Sequence, residues 1–198
     1  IIETSIMKYQ KSLIICSQAI YQTKFWFKIA LKLKKNFKSV IIICFDDESH
    51  RYLKKLKFKH HFVTPRYDLS KNQIQNILYK NKITNLKDII LHEKIYFGNR
   101  DNSKIVSKFC SYVYSIDKYL SKIDYRQYLV LQELGGFSST LSVYYLTRRM
   151  GIDNYFIEPS FYKGRFHIIK NTLKCNPIKN KNVNFREFSK TFNKLRSE

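Results

Sequence analysis

Apolar positions along this chain fall into short unbroken runs separated by stretches of helical period. Residues 12–16 (Ser-Leu-Ile-Ile-Cys) and 40–45 (Val-Ile-Ile-Ile-Cys-Phe) are apolar on both faces, the pattern of strands buried in a parallel sheet. Between them, Trp26, Ile29, Ala30 and Leu33 recur at three- and four-residue spacing, while Lys24, Lys28, Lys32 and Lys35 take the opposite side. That predicts an amphipathic helix over 23–36, laid against the two strands. A second helix is expected over 48–57 and a short third strand over 61–63, stopped by Pro65.

The middle of the chain is less regular. Segments 69–79 and 103–120 carry helical patterning, and 83–98 mixes apolar and charged positions in a way that predicts helices and loops. The pattern sharpens at 128–132, a strand, followed by a helix over 137–150 that Gly151 stops and a strand over 152–157. After Pro159 lysine and asparagine dominate, and 183–195 reads as a basic helix. Apolar strands alternating with helices predict an α/β fold, a three-layer Rossmann-like domain with a mostly parallel sheet. Residues 1–160 are expected to form that domain, with 161–198 a basic segment beyond it. Ligands of such sheets bind outside the carboxyl ends of the strands, which draws attention to the residues after Cys16, Phe45, Gln132 and Ile157.

Composition narrows the class. With 44% apolar and 16% aromatic residues the chain holds a packed core, and five Gly and three Pro exclude collagen-like or linker sequence. The longest aliphatic run, 40–45, falls far short of the roughly 18 apolar residues of a membrane span. Beginning at Ile1 without a signal pattern and ending at Glu198 in polar sequence, the chain is expected to be a fragment of a longer frame. Thirty-seven Lys and Arg against 15 Asp and Glu give a net charge of +22, yet lysine rather than arginine supplies most of it, whereas base and phosphate recognition favours arginine. The charge therefore reads first as compositional bias on solvated faces and next as attraction to an anionic membrane surface; nucleic acid is not the expected partner. Four scattered cysteines, Cys16, Cys44, Cys110 and Cys175, form no C-x-x-C pair, which fits a reducing compartment.

Familiar phosphate and nucleophile motifs are missing. Ser17-Gln-Ala-Ile-Tyr-Gln22 follows the first strand where a dinucleotide fold would carry G-x-G-x-x-G, and neither a P-loop nor a G-x-S-x-G elbow occurs. Asp46-Asp47-Glu48 fits a helix N-cap better than a metal or ribose site. His60 and His61, adjacent on an extended segment, point to opposite faces, so one is expected to be exposed and one packed, with no metal. The feature richest in chemistry is Gln132-Glu133-Leu134-Gly135-Gly136-Phe137, where a buried strand delivers a carboxylate and two glycines into a helix N-terminus. Such a turn admits a close ligand and favours an anion or a hydroxyl-rich group. It also serves as a plain tight turn capped by Glu133. Glu158, at the end of the next strand, would supply a second carboxylate for acid/base work. Lys163 and Arg165 stand among aromatics in Phe161-Tyr-Lys-Gly-Arg165, a composition that suits a sugar or phosphate, or an exposed basic loop.

The run from Tyr128 to Phe166, with Y-L-V-L-Q-E-L-G-G-F and R-R-M-G-I-D-N-Y-F-I-E-P-S-F-Y-K-G-R-F, resembles the amino-terminal half of bacterial capsule polysaccharide biosynthesis proteins, glycosyltransferases of the two-domain GT-B type. The opening strand-helix-strand unit and His92-Glu93-Lys94 add to the likeness. The resemblance implies one half of a GT-B architecture, acting in capsule or other surface polysaccharide biosynthesis. This half would face a glycan or lipid-linked acceptor. The sugar nucleotide would be a co-substrate held by a carboxyl-terminal domain that the 198 residues do not include, with no permanently bound cofactor. It also implies Glu133 and Glu158 as catalytic candidates and Gln132, Gly135, Gly136, Ser17, Lys163 and Arg165 as substrate-binding ones. A cytoplasmic protein, peripheral at the inner face of the membrane, is the implied location. The alternatives are a basic binding module without catalysis, for a membrane surface or nucleic acid, and a GT-B-like sugar-nucleotide epimerase.

Overall fold

A computed structural model describes residues 11–66, 68–98, 100–159 and 166–173. In chain order the elements are β1 (Ser12–Ser17), α1 (Ile20–Leu33), β2 (Val40–Cys44), α2 (Asp47–Lys55), β3 (His60–Phe62), α3 (Lys71–Lys80), α4 (Leu86–Phe97), α5 (Asn102–Leu120), β4 (Tyr128–Glu133), α6 (Ser138–Met150), β5 (Asn154–Pro159) and β6 (Phe166–Lys170). The six strands form one sheet in the order β3-β2-β1-β4-β5-β6. All neighbours run parallel except β5 and β6, which form an antiparallel hairpin. Helices flank the sheet on both faces, so this is a three-layer Rossmann-like α/β domain.

Alternation along the strands builds two cores. Leu13, Ile15, Ile42 and Cys44 pack with Trp26 and Ala30 of α1 and Leu53 of α2. Ile14, Cys16, Ile43 and Val130 face the other way, against Phe109, Val113 and Ile116 of α5 and Val143 and Leu146 of α6. This division is why β2, and β1 between Ser12 and Ser17, are apolar on both faces. Helix ends follow local chemistry: Asp46 caps α2 by accepting from the Ser49 N–H at 2.9 Å, as its acidic run predicted, and Gly98 and Gly151 end α4 and α6 in left-handed conformation.

The structure departs from the sequence reading at several points. Residues 83–98 contain one continuous helix, α4. The strand β4 runs one residue further than expected, to Glu133, and α1 begins three residues earlier than expected. The hairpin strand β6 was not anticipated; it extends the sheet past residue 160, where the end of the domain was expected, because the antiparallel return satisfies the open edge of β5. The expected basic helix at 183–195 lies outside the described residues.

Neither of the paired histidines is exposed. His60 lies hydrogen-bonded between His50 (2.9 Å) and the Phe58 carbonyl (2.7 Å). His61 stacks on Tyr119, ring centroids 4.1 Å apart. Burial, then the charges of His60 and Lys122, push His61 down to about 4 from 6.5. The unfolded chain therefore binds a proton that the folded chain refuses between those values, so stability falls as pH drops from about 6.5 toward 4. With allowance for partial solvent exposure the loss is about 1–2 kcal/mol. Urea melts at pH 7 and pH 4.5 check this: His61→Phe, which keeps the stack, is expected to lose less stability on acidification than the parent, and equal losses would remove His61 as the cause.

Candidate functional site

The order of the sheet places a crevice between β1 and β4. The chain leaves β1 toward α1 on one face and leaves β4 toward α6 on the other, so the two following turns diverge at the carboxyl edge. The open cleft there has a volume of about 380 Å³. Gln18, Tyr21 and Gln22 come from the β1–α1 turn and the start of α1, Phe45 from the end of β2, and Phe137 and Ser139 from the start of α6. Glu93, Tyr96 and Phe97 on α4 and Lys108 and Tyr112 on α5 close its far side.

Among the described residues, charge in the crevice is confined to one pair. Glu93 is 2% exposed and Lys108 22%, with Nζ 3.0 Å from the carboxylate. The ammonium also lies over the Phe97 ring at 5.1 Å, where the ring face adds to its stabilisation. The lining is therefore aromatic, with one buried carboxylate paired to the Lys108 ammonium. A polar relay runs along the floor. Gln18 accepts from the Ser139 hydroxyl and donates to Thr140 at 3.2 Å. Gln22 accepts from the Gln18 N–H at 2.8 Å and donates to Glu133 at 2.7 Å.

The two glycines of the β4–α6 turn are enclosed by rings of the protein itself. A Cβ on Gly136 would stand 2.6 Å from Cδ2 of His92, and one on Gly135 would stand 3.3 Å from the Phe137 ring. His92 is held there by stacking on Tyr96 (4.5 Å, 15°) and by an edge contact with Phe137 (4.8 Å). The space that glycine opens at this turn is thus occupied by His92.

The other residues singled out from sequence disperse. Ser17 is fully buried and hydrogen-bonded to the Thr23 hydroxyl at 2.7 Å, which in turn donates to Ser49. Gln132 is fully buried too, donating to Asn154 at 3.3 Å, with its Oε1 unpartnered. Glu133 lines an apolar groove between α1 and β4–β5 and reaches the crevice only through Gln22. Burial raises its carboxyl above the ordinary range; the nearby indole of Trp26, whose N–H is buried without a hydrogen bond of ordinary geometry, opposes the shift, and the charge of Glu158 adds to it. Glu133 stands in register with Ile157, so Glu158, one residue on, belongs to the opposite face of the sheet. The two carboxylates share an edge without converging, and Glu158 is exposed. Lys163 and Arg165 lie outside the described residues.

Glu93 and Lys108 were missed as site residues, although a signal existed. Glu93 follows buried Ile89 by four positions on α4, which puts a carboxylate on the apolar stripe of a helix. Among the described residues no group of three potential metal ligands occurs, and no helix is long and apolar enough to cross a membrane. No family model, curated protein or solved structure matches the chain.

Proposed function

We propose that this chain is the acceptor-side half of a sugar-nucleotide-dependent glycosyltransferase of capsule or other surface polysaccharide assembly, and that the acceptor sugar occupies the crevice between β1 and β4. The observation that carries the reading is the lining of that crevice: exposed aromatic faces beside a buried, ion-paired carboxylate. Aromatic faces suit the C–H surface of a pyranose ring, and a fixed carboxylate accepts hydrogen bonds from its hydroxyls. With Lys108 committed to Glu93, the crevice offers no free cation to a phosphate among the described residues, which favours an uncharged glycosyl unit over a nucleotide. The likeness of residues 128–166 to capsule biosynthesis proteins supports the same reading.

In this scheme Glu93 touches the acceptor, and Glu133 is a positioning residue that holds Gln22 toward the crevice. The test uses the 198-residue chain and saturation-transfer NMR against neutral oligosaccharides and, separately, nucleoside diphosphates. Saccharide signals are expected, and Tyr21→Ala is expected to weaken binding about tenfold by removing an exposed stacking face. Binding of nucleotides in preference to saccharides, or of neither, would overturn the assignment.

A further inference from the structure

The second surface of interest is the face of β4, β5 and β6 on the α1 side. Helices α1 and α2 cover β1 to β3 there, but the chain returns from β5 as the hairpin strand β6 instead of a covering helix. Among the described residues nothing lies over the end of this face. The result is an apolar groove of about 380 Å³ between Phe25, Ile29 and Leu33 of α1 and Leu131, Ile157 and Phe166 of the sheet. Its rim is open: Phe25 is 49%, Phe166 58% and Ile168 66% exposed.

The surface charge of α1 beside the groove has one sign, and the one carboxylate that lines the groove among the described residues, Glu133, accepts a hydrogen bond from the Gln22 amide at 2.7 Å. No Asp or Glu occurs between Glu3 and Asp46. Lys24, Lys28 and Lys32 project from the outer side of α1, next to Phe25 and Ile29 along the helix surface. Among the described residues none of these lysines enters an ion pair. Leu31 is exposed on the same outer side. A helix with lysines and apolar side chains on its outer face, bordering an open apolar groove, combines the two attractions of an interfacial element: electrostatic attraction to anionic headgroups and burial of apolar side chains among acyl chains.

We propose that this face docks on an anionic lipid bilayer, with Lys24, Lys28 and Lys32 among the headgroups and Phe25, Phe166 and Ile168 inserted beneath them. The charge complementarity selects this occupant over a second copy of the chain, which would bring the same lysines against one another. The proposal is independent of what the crevice binds.

Trp26, the chain's one tryptophan, lines the groove and reports on it directly. The 198-residue protein is sedimented with phosphatidylcholine vesicles with and without phosphatidylglycerol, and Trp26 fluorescence is followed with brominated acyl chains. Binding to phosphatidylglycerol vesicles alone, with quenching of Trp26, is expected. The triple variant Lys24→Gln, Lys28→Gln, Lys32→Gln is expected to bind about a hundredfold more weakly. Phe25→Ser with Phe166→Ser should weaken binding about tenfold and abolish quenching, with circular dichroism unchanged. Absence of vesicle binding overturns the proposal. So does binding that ignores the Phe25 and Phe166 changes and leaves Trp26 unquenched, which would mark a charge-only surface. A dimer in sedimentation velocity that Phe25→Ser dissociates would give the groove to a second copy and overturn it equally.

Discussion

Gly136→Ala is expected to destabilise the protein by about 2 kcal/mol, a fall in Tm of about 6 °C for a chain of this size. The new methyl would lie 2.6 Å from Cδ2 of His92, and that ring has little room to retreat, being stacked on Tyr96 and edged by Phe137. Overpacking of this kind costs about 1–3 kcal/mol, whereas the stiffer unfolded chain gained by replacing glycine returns less than about 1. The sign follows from that difference. His92→Ala in the same chain removes the obstruction, so the double variant should be no less stable than His92→Ala alone. Gly135→Ala meets only the Phe137 ring at 3.3 Å and should be much milder. Thermal melts of the four variants decide the matter: an unchanged Tm for Gly136→Ala would show that His92 is not locked in place.

Glu93→Ala is expected to cost about 3 kcal/mol, because it leaves the Lys108 ammonium in the crevice wall with only 22% exposure and no carboxylate. Replacing both partners, Glu93→Leu with Lys108→Met, removes the stranded charge and should restore stability to within about 1 kcal/mol of the parent. Saccharide binding is expected to stay lost in the double variant. Recovery of stability without recovery of binding separates a role in ligand recognition from a role in packing; a double variant that binds as well as the parent would leave the pair purely structural. Chemical denaturation and the NMR assay, run on the same preparations, give both readings.

Much of the architecture was legible in the residues. Unbroken apolar runs at 12–16 and 40–45 marked strands covered on both faces, and they are the interior strands β1 and β2. The amphipathic period of Trp26, Ile29, Ala30 and Leu33 announced α1, and Gly151 marked the end of α6. The hairpin strand β6 was missed, because Phe166-His-Ile-Ile-Lys170 is mostly exposed and shows no alternation of buried and solvated positions. The segment 83–98 hid its helix for a different reason: α4 buries only Ile89 and Glu93, and a stripe half made of a carboxylate weakens the apolar period.

For the site, the sequence by itself determined which strand ends and turns deserve attention, since apolar periodicity sets strand and helix, and with them the carboxyl edge of the sheet. Only the tertiary structure decided which side chains meet there. Side-chain direction alternates every residue along a strand, so Glu133 and Glu158, one position out of register, turned to opposite faces. Helices packed from elsewhere in the chain brought Glu93, Lys108 and Tyr96 to the crevice and set His92 against Gly136. Contacts of that kind join residues tens of positions apart through the packing of whole elements, and no local spacing records them.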